Sequence, residues 1–460
     1  MHIVERRCFS QMKTVPFQRV WQNFMQEQLM KAYKASVFHM VNDPAVVGAE
    51  AAHKFYNDGM LVVDGGHVVM AGERSLLEPS LDANIEIIDH SGKIIVPGFI
   101  DTHIHFPQID MIASFGAELL DWLEKYTFPE EAKFSDPVHA ADAANFFVRE
   151  LLRNGTTTAL VYGTVHKSSV EALFAEAFKR GMRIVAGKAL MDRNVPEGVR
   201  DTAESGDADS RALINEWHGK GRLGYAITPR FAPACSDEQM ALAGKLLAEH
   251  DDVLMHTHLS ENGAEIDWVQ KLYPSAKDYL DVYDKFGLLT DRSVFAHCVH
   301  LEGEGFQRLA EADAAIAFCP TSNLFLGSGL FHLKEAEKYG IKVGLGTDVG
   351  AGTSVSILQT MNEAYKVCHL KGDKLDPYKS FYLATLGGAK ALNMADKVGS
   401  LEAGKEADFL VLDTAATPLL ERRTANCKSL DETLFVLTML GDDRTISHTY
   451  IAGEIQHERG

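Results

Sequence analysis

The sequence predicts an α/β protein, namely a (β/α)8 TIM barrel with a small composite β-sandwich domain that both termini build together. Between about residues 97 and 390, apolar strand-like runs alternate with segments of helical period, which is typical of repeated βα units and a parallel sheet. Eight units over this length fit a closed barrel better than an open sheet. Further β-like runs stand near both ends of the chain, and neither set alone has enough strands for a stable sheet.

The predicted elements follow in chain order. The first β-like runs are 35–40 and 59–72, and Asp64-Gly65-Gly66 inside the second predicts a hairpin. Matching runs lie at 404–413 and 449–455. The eight candidate barrel strands are 98–105, 156–162, 183–191, 223–230, 253–258, 293–297, 315–319 and 342–348, with amphipathic helices such as 140–153 and 237–250 between them. The predicted domains are an N-terminal extension (1–29), the first part of the β domain (30–96), the barrel (97–395) and the second part of the β domain (396–460).

The first 29 residues form a basic and aromatic segment without the unbroken apolar core of a secretory signal. We expect a frayed extension with no catalytic role, and Met30 is a plausible alternative start.

Composition limits the classes of function. The 460 residues carry a formal net charge of −19, from 45 basic and 64 acidic residues, which opposes binding to nucleic acid or to an anionic membrane. No apolar stretch reaches the roughly 20 residues that a membrane helix needs. The six cysteines lack CxxC spacing, so we expect a protein of the reducing cytoplasm. A small-molecule substrate is therefore the expected partner.

Four predicted strands end in residues that bind metals. Residues i and i+2 of a strand share a face, so one strand end can present two imidazoles of an HxH pair. Imidazole and carboxylate groups meeting at the carboxyl ends of barrel strands suit a borderline cation such as Zn2+ or Fe2+. The candidate metal ligands are His103, His105, His258, His297 and Asp348.

A cation held by these groups would lower the pKa of bound water from about 16 toward 7. Asp348 could ligate the cation and take a proton from that water. Glu261 stands three residues after His258, on the loop above the strand end, and is the best candidate for a proton shuttle. The candidate catalytic residues are therefore Glu261 and Asp348.

Residues beside the candidate ligands indicate the substrate. Gln108 follows His105 closely and offers both a donor and an acceptor, while Arg230-Phe231 places a cation next to a flat apolar ring. Together they suit a planar base that bears a carbonyl oxygen, and they favour an oxo-purine over an amino-purine.

These ligands, in this order and at these strands, resemble the metal-dependent amidohydrolase superfamily. The segments 97–105, 124–129, 154–158, 228–231, 258–261, 344–348 and 384–389 are similar to the guanine deaminases within it. The resemblance implies hydrolysis of guanine by water to xanthine and ammonia, one zinc per chain with Fe2+ less favoured, and a homodimer. It also implies that guanine is bound by Gln108, Arg230, Phe231, His258, Glu261 and Asp348. The superfamily's two-metal members bridge their ions with a strand-four lysine, which 225–230 lacks, so a mononuclear site is expected.

Two alternatives stay open at this point. The substrate could be another amino-heterocycle, of the S-adenosylhomocysteine, pterin or triazine type, or the chain could be a non-catalytic, metal-stabilised assembly protein.

Other noticeable side chains receive simpler interpretations. We expect packing or rim positions for His256, His300, Cys298 and Cys319, a structural role for Lys188, and a lid or packing role for Trp122, Tyr126 and Phe128.

Overall fold

The computed structural model describes residues 30–116 and 118–460, so the predicted extension 1–29 lies outside the described residues. The strands are β1 (Lys31–Met40), β2 (His53–Asp64), β3 (His67–Glu73), β4 (Glu86–Pro97), β5 (Phe99–His105), β6 (Thr156–Tyr162), β7 (Arg183–Gly187), β8 (Ala189–Leu190), β9 (Gly224–Pro229), β10 (Leu254–Leu259), β11 (Ser293–His297), β12 (Ala315–Phe318), β13 (Lys342–Leu345), β14 (Phe409–Leu412), β15 (Ile446–Ile451) and β16 (Glu454–Glu458).

Helices connect and cover the strands. The α-helices are α1 (Pro44–Val47), α2 (Ala49–Ala52), α3 (Arg74–Leu77), α4 (Leu119–Trp122), α5 (Phe128–Ala132), α6 (Pro137–Arg153), α7 (Lys167–Lys179), α8 (Ala203–Trp217), α9 (Asp237–Glu249), α10 (Gly263–Leu272), α11 (Tyr279–Lys285), α12 (Gly303–Glu311), α13 (Pro320–Phe325), α14 (Leu333–Lys338), α15 (Ile357–Leu370), α16 (Pro377–Tyr382), α17 (Gly388–Ala391), α18 (Pro418–Thr424) and α19 (Leu430–Leu440). Short 3-10 turns span Glu78–Ser80, Phe106–Met111, Lys133–Ser135, Glu197–Val199, Ala232–Ala234 and Asp443–Thr445, and π turns span Leu123–Thr127 and Leu383–Gly387.

The central sheet is a parallel barrel, as the sequence predicts. Its order is β13-β12-β11-β10-β9-β7-β6-β5, with β8 paired to β9. The backbone N–H of Asp348 donates to the carbonyl oxygen of His103 at 2.8 Å, and that of His105 donates to Val349 at 2.9 Å, which joins the two ends of the sheet. The predicted last strand was too long, because β13 ends at Leu345 and the chain then turns across the barrel mouth. Asp348 therefore lies three residues beyond the end of the strand, just before a turn that starts at Val349.

A layer of small and branched apolar side chains fills the barrel interior beneath the candidate site. Strands β5, β6, β7, β9, β10, β11 and β12 contribute to it, so the interior is a packed core and not a pore. The layer includes Ile100, Leu160, Val185, Ala226, Leu254, Val294 and Ala317, all buried. This core fixes the strand ends from which the candidate ligands project.

A second sheet is built from both termini, in agreement with the predicted composite domain. Its order is β16-β15-β14-β4-β1-β2-β3, with β1 and β4 parallel and the other pairs antiparallel. β4 was not among the predicted runs, although it is the strand where the two halves meet. The domain boundaries at residues 96 and 395 stay predictions.

Buried ion pairs fasten the composite domain to the base of the barrel. The guanidinium of Arg222 binds both carboxylate oxygens of Asp408 and also contacts Glu406. Arg183 at the start of β7 pairs with the same Glu406. The mouth of the barrel, at the opposite ends of the strands, stays available for chemistry.

In the described part of the chain, none of the helices combines the length and the apolar character that crossing a bilayer requires.

Candidate active site

The structure brings the five candidate ligands together at the carboxyl ends of the barrel strands. Nε2 of His103 lies 3.0 Å from Oδ1 of Asp348, and Nε2 of His105 lies 3.5 Å from the same oxygen. Nε2 of His105 and Nε2 of His258 are 3.2 Å apart. Nε2 of His297 lies 3.7 Å from Oδ2 of Asp348. The ligand atoms of His103, His105, His258 and Asp348 all lie within 4.8 Å of one another, close enough to hold one cation.

Hydrogen bonds behind the rings leave nitrogens free for a cation. Nδ1 of His258 lies 2.5 Å from the carbonyl oxygen of Arg230, which can only accept, so Nδ1 carries the proton and Nε2 keeps its lone pair. Nδ1 of His297 faces Oδ1 of Asn323 at 2.8 Å, which assigns the same tautomer. Nε2 of His103 and of His297 are buried without a hydrogen-bond partner among the described residues. These orphaned nitrogens and the adjacent carboxylate fit a divalent cation.

The surroundings keep most of these imidazoles neutral, as metal ligation requires. Burial, reinforced by neighbouring positive groups, lowers the pKa of His103, His105 and His258 well below the ordinary value. Burial also opposes protonation of His297, but the nearby carboxylates of Glu261 and Asp348 outweigh it and raise its pKa.

Glu261 stands at the edge of this cluster. Its side chain is buried, with Oε2 3.5 Å from Nε2 of His297 and Oε1 accepting a hydrogen bond from Oγ of Ser328 at 3.2 Å. Burial raises the pKa of Glu261 to about 7, with a further contribution from the Asp348 charge. A carboxyl group with this pKa can both accept and donate a proton near neutral pH.

Several residues at the site have left-handed backbones. Their φ angles are +49° at Ser260, +72° at His297, +51° at Cys298 and +51° at Asp348. Such angles are uncommon for residues other than glycine, and they concentrate where the surrounding fold must aim a side chain. The strand ends are bent here so that His297 and Asp348 face the centre of the barrel mouth.

Asp101 supports the site from below, a role that the sequence analysis missed. Its buried carboxylate accepts from the backbone N–H of His103 and of Thr347, both at 3.1 Å, and from Oγ1 of Thr347 at 2.5 Å. It therefore links the strand of the HxH pair to the segment after β13 that carries Asp348. The available signal was an acid two residues before a histidine inside an otherwise apolar run.

His256 is buried, as a packing position requires, but it is also a direct neighbour of a candidate ligand, which was not expected. Its Nε2 lies 2.7 Å from Nδ1 of His103, and the ring is fully buried. Because His256 and His258 stand two apart on one strand, the i, i+2 rule already placed them on the same face. His300 instead donates from Nε2 to the carbonyl oxygen of Ser328 at 2.8 Å, toward the rim.

A buried polar network forms one wall of the pocket. Nη1 of Arg230 lies 2.8 Å from both carboxylate oxygens of Glu131, and Nε2 of Gln108 donates to Oε1 of the same residue at 2.9 Å. Oε1 of Gln108 accepts from the backbone N–H of Gly350 at 3.0 Å. Glu131 was not singled out by the sequence, yet it holds both predicted substrate contacts. Arg230 and Gln108 both line the pocket as well.

Apolar side chains form the rest of the pocket. Trp122 is 1% exposed and lines the pocket, so the long connection after β5 covers the site. The pocket lining is His105, Gln108, Leu119, Trp122, Leu123, Arg230, Phe231, His258, Glu261, Glu265, His297, Asp348 and Ala351. This cleft combines a flat apolar ring, polar donors and the ligand cluster.

Three other expectations concern side chains near the site. Nζ of Lys188 lies 2.6 Å from Oδ2 of Asp201 in a buried ion pair, which agrees with a structural role. Burial raises the pKa of the Cys298 and Cys319 thiols well above their usual range, so both stay protonated. Cys319 also lies within 4.8 Å of ligand atoms of His103 and His297.

Known proteins are similar to this chain both in sequence and in structure. The model of the amidohydrolase family matches residues 94–455. Guanine deaminase of Escherichia coli (strain K12) is 51% identical over 436 residues, covering 94% of this chain and 99% of that protein. The solved structure of E. coli guanine deaminase superimposes with a TM-score of 0.91, covering 94% of this chain and all of that one. Guanine deaminase of C. acetobutylicum, solved with guanine bound in its active site, is 32% identical, with a TM-score of 0.84 over 93% of this chain and all of that one. The chain belongs to the amidohydrolase family, among its guanine deaminases.

Proposed function

We propose that this protein is a zinc-dependent guanine deaminase, which converts guanine and water to xanthine and ammonia. The observation that carries the proposal is a cluster of buried imidazoles and one carboxylate that shares a pocket with Arg230 and Gln108. A relative named guanine deaminase is 51% identical, and one named probable guanine deaminase is 38% identical, each over 94% of this chain.

The proposed zinc ligands are His103, His105, His258, His297 and Asp348. Imidazole nitrogens and a carboxylate are the donors that Zn2+ prefers, and Fe2+ would be the less favoured occupant. When bound, the cation makes water acidic enough to serve as a nucleophile at neutral pH.

Two carboxyl groups would move the protons. Asp348 would accept a proton from the attacking water as the new C2–O bond forms. Glu261 would donate its proton to a ring nitrogen of guanine and would regain a proton from the new C2 hydroxyl. The proton held by Asp348 would pass to the leaving amino group, so that the C2–N bond breaks, the C2 carbonyl forms and ammonia departs. The raised pKa of Glu261, about 7, supports this double use.

Substrate orientation would come from the network on the pocket wall. The remaining N–H groups of Arg230 suit the O6 carbonyl of guanine, and Gln108 offers an amide beside them. Phe231 lies against the pocket and would stack on the planar ring. His258, Glu261 and Asp348 would contact the reacting edge of the base.

Further parts of the proposal rest on the resemblance to guanine deaminases. They are one zinc per chain, a homodimer, a cytoplasmic location and a place in purine catabolism or salvage.

The test is ultraviolet absorbance and ammonia release with purified, metal-analysed protein. Guanine, adenine, cytosine and S-adenosylhomocysteine are supplied in parallel, and Glu261→Gln is the matched control. We expect only guanine to be converted, with the activity abolished by a chelator and restored by Zn2+. Turnover of another substrate in place of guanine would contradict the proposal and show that the site acts on a different amino-heterocycle.

A further inference from the structure

We propose that Asp110, Glu130 and His139 form a second divalent-cation site, of the zinc type, outside the barrel mouth. The three side chains offer ligand atoms that lie within 4.8 Å of one another. They come from three separate elements, since Asp110 lies in the turn Phe106–Met111, Glu130 on α5 and His139 on α6. None of them belongs to the cluster at the barrel mouth.

Two buried atoms in this cluster lack partners. Oε1 of Glu130 and Nε2 of His139 are inaccessible to solvent and make no hydrogen bond among the described residues. Glu130 is only 8% exposed. Its other oxygen, Oε2, pairs with Nζ of Lys133 at 2.6 Å, but that side chain is 56% exposed and approaches from the solvent side. Burying polar atoms without partners is unfavourable, so both side chains call for a further binding group.

The chemistry of the donors favours a first-row divalent ion. An imidazole with two carboxylates suits Zn2+ better than Mg2+ or Ca2+, which prefer oxygen ligands alone. The His139 ring is held edge-on by Phe134, with ring centroids 4.7 Å apart, so its direction is fixed. Asp110 is exposed, which gives a cation a path from solvent to the two buried atoms. Because three protein ligands leave coordination positions for water, we expect the cation to bind more weakly here than at the barrel mouth.

The position of this site connects it to the pocket wall. Gln108 precedes Asp110 by two residues, and Glu131 follows Glu130 directly. A cation bound here would fix the turn that carries Gln108 against the helix that carries Glu131, which themselves share a 2.9 Å hydrogen bond. Occupancy is therefore expected to tighten substrate binding, lowering KM with little effect on kcat.

The binding part of the proposal does not depend on the proposed function, and it can be tested by counting metal ions. Full-length protein that already carries its tightly bound metal is titrated with Zn2+ by calorimetry, and with Co2+ by visible absorbance. We expect one further equivalent in the wild type, weakened at least tenfold in His139→Gln and in Asp110→Asn. Because Asp110 is exposed, the second variant is expected to fold even where the first does not.

His166→Gln is the matched control. Nε2 of His166 is likewise buried and unpartnered, yet this residue is in none of the His, Cys, Asp and Glu clusters found in the described chain. The control should keep the further equivalent. A wild type that takes up no further equivalent, or an Asp110→Asn variant that binds it as tightly as the wild type, overturns the proposal. Loss of deaminase activity with the metal count intact would concern the proposed function alone.

Discussion

Glu131→Gln tests whether the buried wall, and not the ligand cluster alone, determines how the substrate is held. The side chain of Glu131 is fully buried and that of Arg230 is 4% exposed, with Nη1 2.8 Å from both carboxylate oxygens. The substitution keeps the shape but removes the charge, and its amide NH2 would face donors of Arg230 or Gln108. Removing one partner of a buried ion pair costs about 3–5 kcal/mol.

We expect the loss of interaction free energy to lie near the lower limit, at about 3 kcal/mol, because glutamine still offers one acceptor oxygen. If the whole loss falls on substrate binding, kcat/KM for guanine drops by roughly a hundredfold, since 1.4 kcal/mol is a factor of ten. The assays are urea unfolding and steady-state kinetics. Glu124→Gln, which changes an exposed acid of the same connection, is the control. A Glu131→Gln protein with both the unfolding midpoint and kcat/KM of the wild type would refute the reasoning.

Three further substitutions have expected outcomes. Glu261→Gln should keep the bound metal and lose 10²- to 10⁴-fold in kcat, the range for a proton-transfer group, and unchanged turnover would remove Glu261 from the mechanism. His256→Gln should weaken metal binding about 10- to 100-fold in a chelator competition, because it no longer orients His103 in the same way; equal affinity would contradict this. Burial lowers the pKa of His39 from 6.5 to about 4 in the folded protein. Between these pH values the unfolded chain binds a proton at His39 that the folded protein does not, so stability falls as the pH drops from 6.5 toward 4. His39→Gln should flatten that part of the urea-midpoint profile, and an unaltered slope would exclude His39 as its source.

The parts of the site that the sequence predicts are those with a short-range pattern. His103 and His105 stand two apart at the end of an apolar run, and β5 ends at His105 as expected. The same holds for His297 at the end of β11. Strand periodicity and the position of strand ends in a barrel are sufficient to place these side chains together.

The parts that escaped prediction depend on distant contacts. Glu131 contacts Arg230, which is 99 residues away, and nothing around either residue signals the other. Asp101 is masked by the apolar residues beside it, although its three accepted hydrogen bonds join both ends of the sheet. The early end of β13 at Leu345 also escaped prediction, because the next residues still bond to neighbouring strands, with the N–H of Gly346 donating to Phe318 and that of Asp348 to His103.

The meeting of β4 with β14 has a consequence for synthesis of the chain. Residues 94–97 pair with residues 409–412, so the ribosome must add more than 300 residues after β4 before its partner exists. Throughout that interval β4 presents an open row of backbone donors and acceptors, which other nascent chains can pair with. We expect products that stop before residue 409 to aggregate even when their barrel segment is complete. Once synthesised, the C-terminal strands would prevent this aggregation, because β14 pairs with β4.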